Sequence, residues 1–302
     1  MKEHLRRVIA LGFFDGVHVG HASLLNMAKR RAEELGLRPS VMSFDLHPDT
    51  LVAGEPVWLI NSIEDRLEIL SRCFGIDDVI LAHFDEHMMH MPWDVFVEDY
   101  LVKELGAGYL VCGYDFHFGD KGAGNPERLR EKCSQLGIGL DVMPKVTVDG
   151  ITVSSTYIRT LIERGDMETA ERFLGHPHCL SGPVVHGRAL GRTIGIPTAN
   201  LLIPENVLVP AYGVYAARVV LPGGEEKLAV TNVGVRPTVD DSKKVTVEPW
   251  ILDFEGDLYG RHIRVDFCRR LRGEKKFSGL PALQQEILKN AGETRRMLER
   301  TR

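Results

Sequence analysis

Val8-Ile9-Ala10-Leu11-Gly12-Phe13-Phe14-Asp15-Gly16-Val17-His18-Val19-Gly20-His21 is the stretch from which the fold is read. Val8 to Leu11 is a short apolar run of the kind that forms a strand buried on both faces, Gly12 and Gly16 break it, and an amphipathic run follows from Ala22. The order is strand, glycine turn, helix. His18 and His21 then fall near a helix N-terminus, where unpaired backbone N–H groups and the positive end of the dipole favour an anion such as phosphate. On spacing alone the two histidines serve equally well as structural residues of a helix start.

Working outward, Ala22 to Leu35 puts Leu24, Leu25, Ala28, Ala32 and Leu35 on one helical face, with Gly36 as a stop. Ser40 to Phe44 reads as a strand, Ile63 to Phe74 as a helix, Asp78 to Leu81 as a strand, Trp93 to Leu105 as a helix entered through Pro92, and Tyr109 to Cys112 as a strand. Strands alternating with helices predict a mostly parallel sheet with right-handed crossovers. Ligands of such sheets bind beyond the carboxyl ends of the strands. The turns Gly12 to Gly16 and Gly113-Tyr114-Asp115-Phe116-His117-Phe118-Gly119 both lie at such ends, so they can converge on one crevice.

A short helix from Gly165 to Leu174 closes this half. From Leu180 the texture changes to strands and turns: Gly182 to Arg188, Gly213 to Leu221, Lys227 to Val233, Val245 to Phe254 and Ile263 to Cys268, with a hairpin signal at Pro222-Gly223-Gly224. Strands at this spacing predict an antiparallel barrel, with Leu280 to Leu298 as a helix closing one end. The boundary is expected near residue 180, giving domains 1–180 and 181–302.

With 302 residues, either half can bury its own core. A net charge of -5 and a pI near 6.2 exclude nucleic acid as the main partner. Five scattered cysteines without C-x-x-C spacing are the usage of a reducing compartment, with most thiols as small apolar core residues. No signal peptide is visible and no apolar run approaches the roughly 20 residues of a membrane span. These features predict a cytoplasmic protein with no membrane partner.

G-x-F-D-G-x-H-x-G-H over Gly12 to His21 resembles the nucleotidyltransferase signature, in the wording of bacterial bifunctional riboflavin kinase/FAD synthetases. Ser154-Ser155-Thr156-Tyr157-Ile158-Arg159 matches that family's S-S-T-x-I-R, and Gly113 to Gly119 resembles its G-x-D-F-x-F-G. In the second half Gly195-Ile196-Pro197-Thr198-Ala199-Asn200 resembles the riboflavin kinase P-T-A-N motif, and Val185 to Arg192 its glycine-rich nucleotide loop. Asn232 to Thr238, Leu258-Tyr259-Gly260 and Leu271-Arg272-x-Glu274-x-x-Phe277 also match.

The resemblance implies a Rossmann-like nucleotidyltransferase domain with a parallel sheet, followed by an antiparallel β-barrel with a closing helix. It implies two reactions, phosphorylation of riboflavin by ATP to FMN and adenylylation of FMN by ATP to FAD and pyrophosphate. ATP, riboflavin, FMN and FAD are then the partners. His18, His21 and Arg159 are the expected catalytic residues of the first half. Gly12, Phe13, Asp15, Asp115 and Phe116 are expected to bind its ligands, joined by Ser155 or Thr156 as helix cap and anion seat.

In the second half Gly187, Gly195, Pro197, Thr198 and Asn200 are expected at the nucleotide. Thr198 and Asn200 lie two apart on an extended segment, as neutral oxygen donors of the kind Mg²⁺ shares with substrate phosphates. Glu248 resembles the glutamate of the family's V-E-x-x-L strand and is expected to take the riboflavin proton, although Pro249 behind it implies an edge or bulge. An outward strand charge is the plainer alternative.

Two loops depart from the family. Ser43-Phe44-Asp45-Leu46-His47-Pro48 keeps Phe, His and Pro of T-F-x-P-H-P but lacks its Thr and first Pro. His117 and Asp120 to Gly124 stand where relatives often carry arginines. They motivate an alternative, a riboflavin kinase with an inactive first domain. The intact motifs speak against a merely flavin-binding protein.

Overall fold

The computed structural model describes residues 6–187, 190–237 and 243–299. Arg188 and Ala189 of the glycine-rich loop, and Thr238 of the Asn232 to Thr238 motif, lie outside the described residues. The chain divides into two compact units, Met1–Val57 with Arg66–Ser154, and Trp58–Asp65 with Ser155–Arg302.

The first unit is built on a five-stranded sheet: β1 (Arg7–Leu11), β2 (Arg38–Phe44), β3 (Asp78–Ala82), β4 (Ala107–Gly113) and β5 (Gly139–Met143), in the order β3-β2-β1-β4-β5. Every pairing is parallel. The unbroken apolar run of β1 follows from burial on both faces. Ile9 and Leu11 join a cluster with Phe96, Val97, Leu101 and Leu129. Val8 and Ala10 alternate to the other side, where α1 (Val19–Leu35) packs on β1, β2 and β4 with Leu24, Leu25, Ala28 and Ala32 buried.

The expected strands are all present, and sequence patterning passed over β5, α2 (Pro48–Ala53) and α6 (Pro126–Leu136). α6 carries few apolar residues, with only Pro126, Leu129 and Cys133 buried, so its period is faint. Between them lie α3 (Ile63–Phe74) and the one-turn helices α4 (Glu86–Met89) and α5 (Trp93–Val95). The helix expected from Trp93 continues after Val95 as a wider π-helical segment, Phe96–Glu104. A two-stranded ribbon, β6 (Thr147–Val148) and β7 (Ile151–Thr152), ends the unit.

In the second unit α7 (Ser155–Arg164) and α8 (Met167–Leu174) precede a closed barrel of β8 (His178–Val185), β9 (Asn200–Leu201), β10 (Gly213–Val220), β11 (Glu226–Pro237), β12 (Lys243–Ile251) and β13 (His262–Arg272). Its ladders are antiparallel and closed by β10 on β13. The amphipathic α8 lies on β8 and β13, while α9 (Leu280–Leu298) lies along β10 and β11, Ala291 clustering with Val214, Val230 and Leu252. Trp58–Asp65 belongs here because Leu59 bridges Val207 and Asn61 donates to Cys179 Sγ at 3.7 Å. Three cysteines, Cys112, Cys133 and Cys179, are buried, and burial pushes the Cys112 thiol up to about 12 and that of Cys133 to about 11, as apolar core residues require.

His178 is wholly buried in β8 beside Phe267, and burial, with His176 nearby, pushes its pKa down to about 3. Its ordinary value near 6.5 returns on unfolding, so the unfolded chain takes up the proton first. This contribution to stability is fully present above about pH 6.5 and is lost as pH falls through that value toward 3. His21, also lowered, acts in the same direction. His83 beside Asp45 opposes it, but that pair is exposed and weak. Urea midpoints of the full chain are expected to drop between pH 7.5 and pH 5, and His178→Gln to flatten that slope. An equally steep slope in the variant assigns the acid sensitivity elsewhere.

Candidate functional site

The strand order β3-β2-β1-β4-β5 reverses between β1 and β4, and in parallel sheets the connections leaving two such strands part to opposite sides and open a crevice at their carboxyl ends. Both expected turns stand there. After β1, Phe14 and Val17 adopt left-handed backbone (φ 60° and 38°) together with Gly16 (φ 80°). Such conformations cost on the order of 1–3 kcal/mol each for non-glycine residues and persist only where the surroundings hold them. Phe14, Asp15 and Val17 are buried, which supplies that hold.

α1 begins at Val19 with His18 as its cap, and His18 Nδ1 accepts from the His21 backbone N–H at 3.2 Å. That bond leaves the proton of a neutral His18 ring on Nε2. The two rings stack with centroids 3.6 Å apart and 7° between planes. Burial, then His18, then Arg66 hold His21 well below the ordinary imidazole range, and its Nδ1 is buried without a hydrogen-bond partner. Both histidines are therefore suited to donate N–H bonds as neutral rings at the start of a helix.

Arg66 is the residue that motif reading missed. It is 1% exposed, and Nη1 donates to Phe13 O (3.0 Å), Ser43 Oγ (2.8 Å) and Phe44 O (3.1 Å), tying the chain leaving β1 to the end of β2. Its guanidinium carbon lies 4.3 Å from the Phe13 ring centroid. The signal was present in α3: Arg66 precedes the buried Ile69 and Leu70 by three and four residues, a cation on the helix's apolar face.

The second turn, after β4, closes with Phe116 N–H to Gly113 O at 3.2 Å. Phe116 and Phe118 stack at 5.3 Å, and Phe118 packs on Phe96, so an aromatic base carries the exposed Asp115. His117, in place of the family's arginine, turns Nδ1 to Asp115 O at 2.9 Å. Ser155, Thr156 and Arg159 fall in the second unit. Since α7 starts at Ser155, the cap position belongs to Ser154, and Ser155 and Thr156 stand in the first turn instead. Arg159 Nε donates to Trp58 O at 2.8 Å.

Within the barrel, Val247 pairs with Leu201 and Ala199 N–H donates to Pro249 O at 2.9 Å, so the next antiparallel pair along is Glu248 with Asn200. On the other side Glu248 pairs with Asn232. Asn232, Glu248 and Asn200 thus form one row across β11, β12 and β9. Val247 and Pro249 are buried in the opposite phase. β12 runs through Pro249 without a break, because on that side it faces only the two-residue β9 and loses no long ladder. A Cβ at Gly187 would overlap the Asn200 amide, so glycine there lets the chain after β8 come close to Asn200. Thr198, Pro197 and Tyr259 line an open cleft of about 160 Å³, where Tyr259 stacks on His186 at 3.8 Å. Gly195 is exposed with φ 71°.

Comparison with known proteins gives two family matches along the chain. The FAD synthetase family matches residues 1–157 and the riboflavin kinase family residues 174–298. A bifunctional riboflavin kinase/FMN adenylyltransferase of Listeria monocytogenes is 34% identical over 96% of this chain and 92% of its own length. That of Bacillus subtilis is 34% identical over 100% and 95%, and that of Escherichia coli K12 35% over 94% and 90%. A crystal structure of a Streptococcus pneumoniae protein described as a macrolide-efflux protein superposes with a TM-score of 0.84 at 30% identity, covering 96% of this chain and 94% of that one. Among the described residues no helix is long and apolar enough to cross a membrane.

A parallel-sheet nucleotidyltransferase unit and a flavokinase barrel in one chain define an ATP-dependent enzyme of flavin nucleotide synthesis with two activities. The chain belongs to the family of bifunctional riboflavin kinase/FMN adenylyltransferases. Matches to both domains give no support to the alternative of an inactive first half. ATP-dependent kinases and nucleotidyltransferases generally require a divalent metal.

Gly20 offers a direct test of the histidine geometry. A Cβ there would lie 3.1 Å from His18 Nδ1 and Cε1, and His18 has His21 stacked behind it. Gly20→Ala should leave thermal stability within about 1 kcal/mol, since alanine favours the helix. FMN adenylylation should fall at least 10-fold, as displacement of a positioned group costs. Unchanged adenylylation would show that His18 can shift without consequence.

Proposed function

We propose that the glycine turn after β1 and the turn after β4 hold ATP and FMN for adenylyl transfer, and that the Asn232–Glu248–Asn200 row serves riboflavin phosphorylation. The functional division runs near residue 180, with FMN adenylyltransferase in 1–180 and riboflavin kinase in 181–302. The observation that carries the reading is the coincidence of both first-half motifs with the switch point of the parallel sheet.

In the first reaction a phosphate oxygen of FMN bonds to the α-phosphorus of ATP, the bond to the bridging oxygen breaks, and pyrophosphate leaves. The nucleophile is already mostly dianionic near neutrality, its second pKa being about 6, so no base is needed. The demand is for donors aimed at developing charge, which neutral His18 and His21 at a helix start supply. Gly12, Phe13 and Asp15 shape that seat, and Asp115 and Phe116 form the flavin side. Ser155, Thr156 and Arg159 keep their assignment to the triphosphate on the strength of the motif.

In the second reaction the riboflavin 5′-oxygen bonds to the γ-phosphorus, ADP leaves, and the hydroxyl proton passes to Glu248. Gly187, Gly195 and Pro197 shape the nucleotide loop. Thr198 and Asn200 offer only neutral oxygens, and among the described residues no group of three or more His, Cys, Asp or Glu could hold a metal. That donor set fits Mg²⁺ shared with phosphates and suits softer transition metals poorly. Mg²⁺ would neutralise charge on the phosphates. The protein works in the cytoplasm.

Two substitutions separate the sites. His21→Ala should lower FAD formation from FMN by about 10²- to 10³-fold, by analogy with deleted oxyanion donors, and spare riboflavin phosphorylation. Equal damage to both activities in a folded variant would contradict the two-site reading. Glu248→Gln keeps shape and removes charge, so FMN formation should fall roughly 10²- to 10⁴-fold while FAD formation from supplied FMN is untouched. Near-normal phosphorylation in this variant would return Glu248 to the outward strand charge that its position also allows.

A further inference from the structure

We propose that Arg66 is a positioning residue of adenylyl transfer, pinning the chain that leaves β1 to the end of β2 and keeping a buried positive charge beside the turn of His18 and His21. The inference rests on the reading of that turn as the phosphate seat.

The hydrogen bonds of Arg66 account for only part of its side chain. Nη1 serves three acceptors at once, Phe13 O, Ser43 Oγ and Phe44 O. Nε and Nη2 are shielded from solvent and, among the described residues, have no hydrogen-bond partner. A guanidinium does not give up its charge in a protein, and burying a charge with unmet donors is expensive. A pin between two carbonyls does not require that cost, since a neutral amide would make such bonds. The charge needs its own explanation, and its neighbours supply one.

Asp15, buried in the turn, acts electrostatically on Arg66, and Arg66 in turn acts on His21 and helps to hold it below its ordinary range. Arg66 therefore belongs to the field of the histidine pair. A fixed cation there does two things for a phosphate-transfer seat. It favours the negative charge that builds on the transferring group, and it holds the strained Phe14 to Val17 backbone through the Phe13 carbonyl. Its position in the sheet is apt, because Phe13 follows β1 and Ser43 and Phe44 end β2 on the carboxyl edge.

The test uses the full chain with Arg66→Lys, Arg66→Gln and Arg66→Met, measuring kcat and KM for FMN adenylylation and for riboflavin phosphorylation, with thermal midpoints for each. Lysine keeps the charge and offers three donors, glutamine keeps donors without charge, and methionine keeps only bulk. Arg66→Lys should retain kcat for adenylylation within about 5-fold, whereas the Gln and Met variants should lose roughly 10²-fold in kcat with KM for FMN little changed. Riboflavin phosphorylation should persist in all three.

Near-normal adenylylation by Arg66→Gln overturns the proposal, because hydrogen bonds alone then suffice. Equal losses in folded Lys and Gln variants overturn it as well. Should the Gln and Met variants unfold, Arg66→Lys decides: a kcat within about 5-fold supports the role of the charge, and a 10²-fold loss removes it. His21→Ala in the same assay keeps this separate from the reading beneath it. Normal adenylylation by His21→Ala removes the phosphate seat, whereas an inactive His21→Ala beside an active Arg66→Gln removes only the role of Arg66.

Discussion

The parallel pairing of β1 between β2 and β4 is the constraint on which the first unit depends. A central strand with both ladders occupied must be apolar on both faces, and Val8 to Leu11 is. Its neighbours then carry the chain away to opposite sides of the switch point. Whatever follows β1 and β4 is presented there. Strained backbone is tolerable at such a place because the sheet beneath is rigid, and Phe14 to Val17 spends that rigidity on fixing where α1 begins.

The fold was legible where burial imposes a period. β1, α1 and α9 came out of the sequence almost at their final bounds, and the barrel was announced by strands and glycine turns at short spacing. What escaped had no such imprint. α6 buries three side chains, β5 is only half-buried along its length, and the π-helical winding of Phe96–Glu104 leaves the spacing of apolar residues nearly unchanged. The segment Trp58–Asp65 is a different kind of miss, since a bridge from Leu59 to Val207 spans too much chain for any local pattern to record.

The site was legible by motif and blind to support. His18, His21, Asn200 and Glu248 were singled out as candidates because their residue types in order are distinctive. Arg66 sits in an ordinary amphipathic helix, and only its place on the apolar face marks it. The same limit applied to Glu248 and Pro249: whether proline breaks a strand depends on the partner strand, and β9 is too short for the missing N–H to matter.

On the proposed assignment, the two chemistries also account for the difference between the two candidate sites. Phosphate is its own nucleophile in adenylyl transfer and calls for no base, and what stands at the sheet edge is a pair of imidazoles and a buried cation, with Asp15 acting on Arg66. A free carboxylate aimed at the incoming phosphate would repel it, by an amount that grows as water is excluded. An alcohol must shed its proton, and on the proposed assignment Glu248, set between Asn232 and Asn200 across the ladders, would take it. Each arrangement would fail at the other's reaction. The charge type beside a nucleophile follows from the nucleophile's own pKa, and on that ground the proposed assignment puts the base in the barrel and the cation at the sheet.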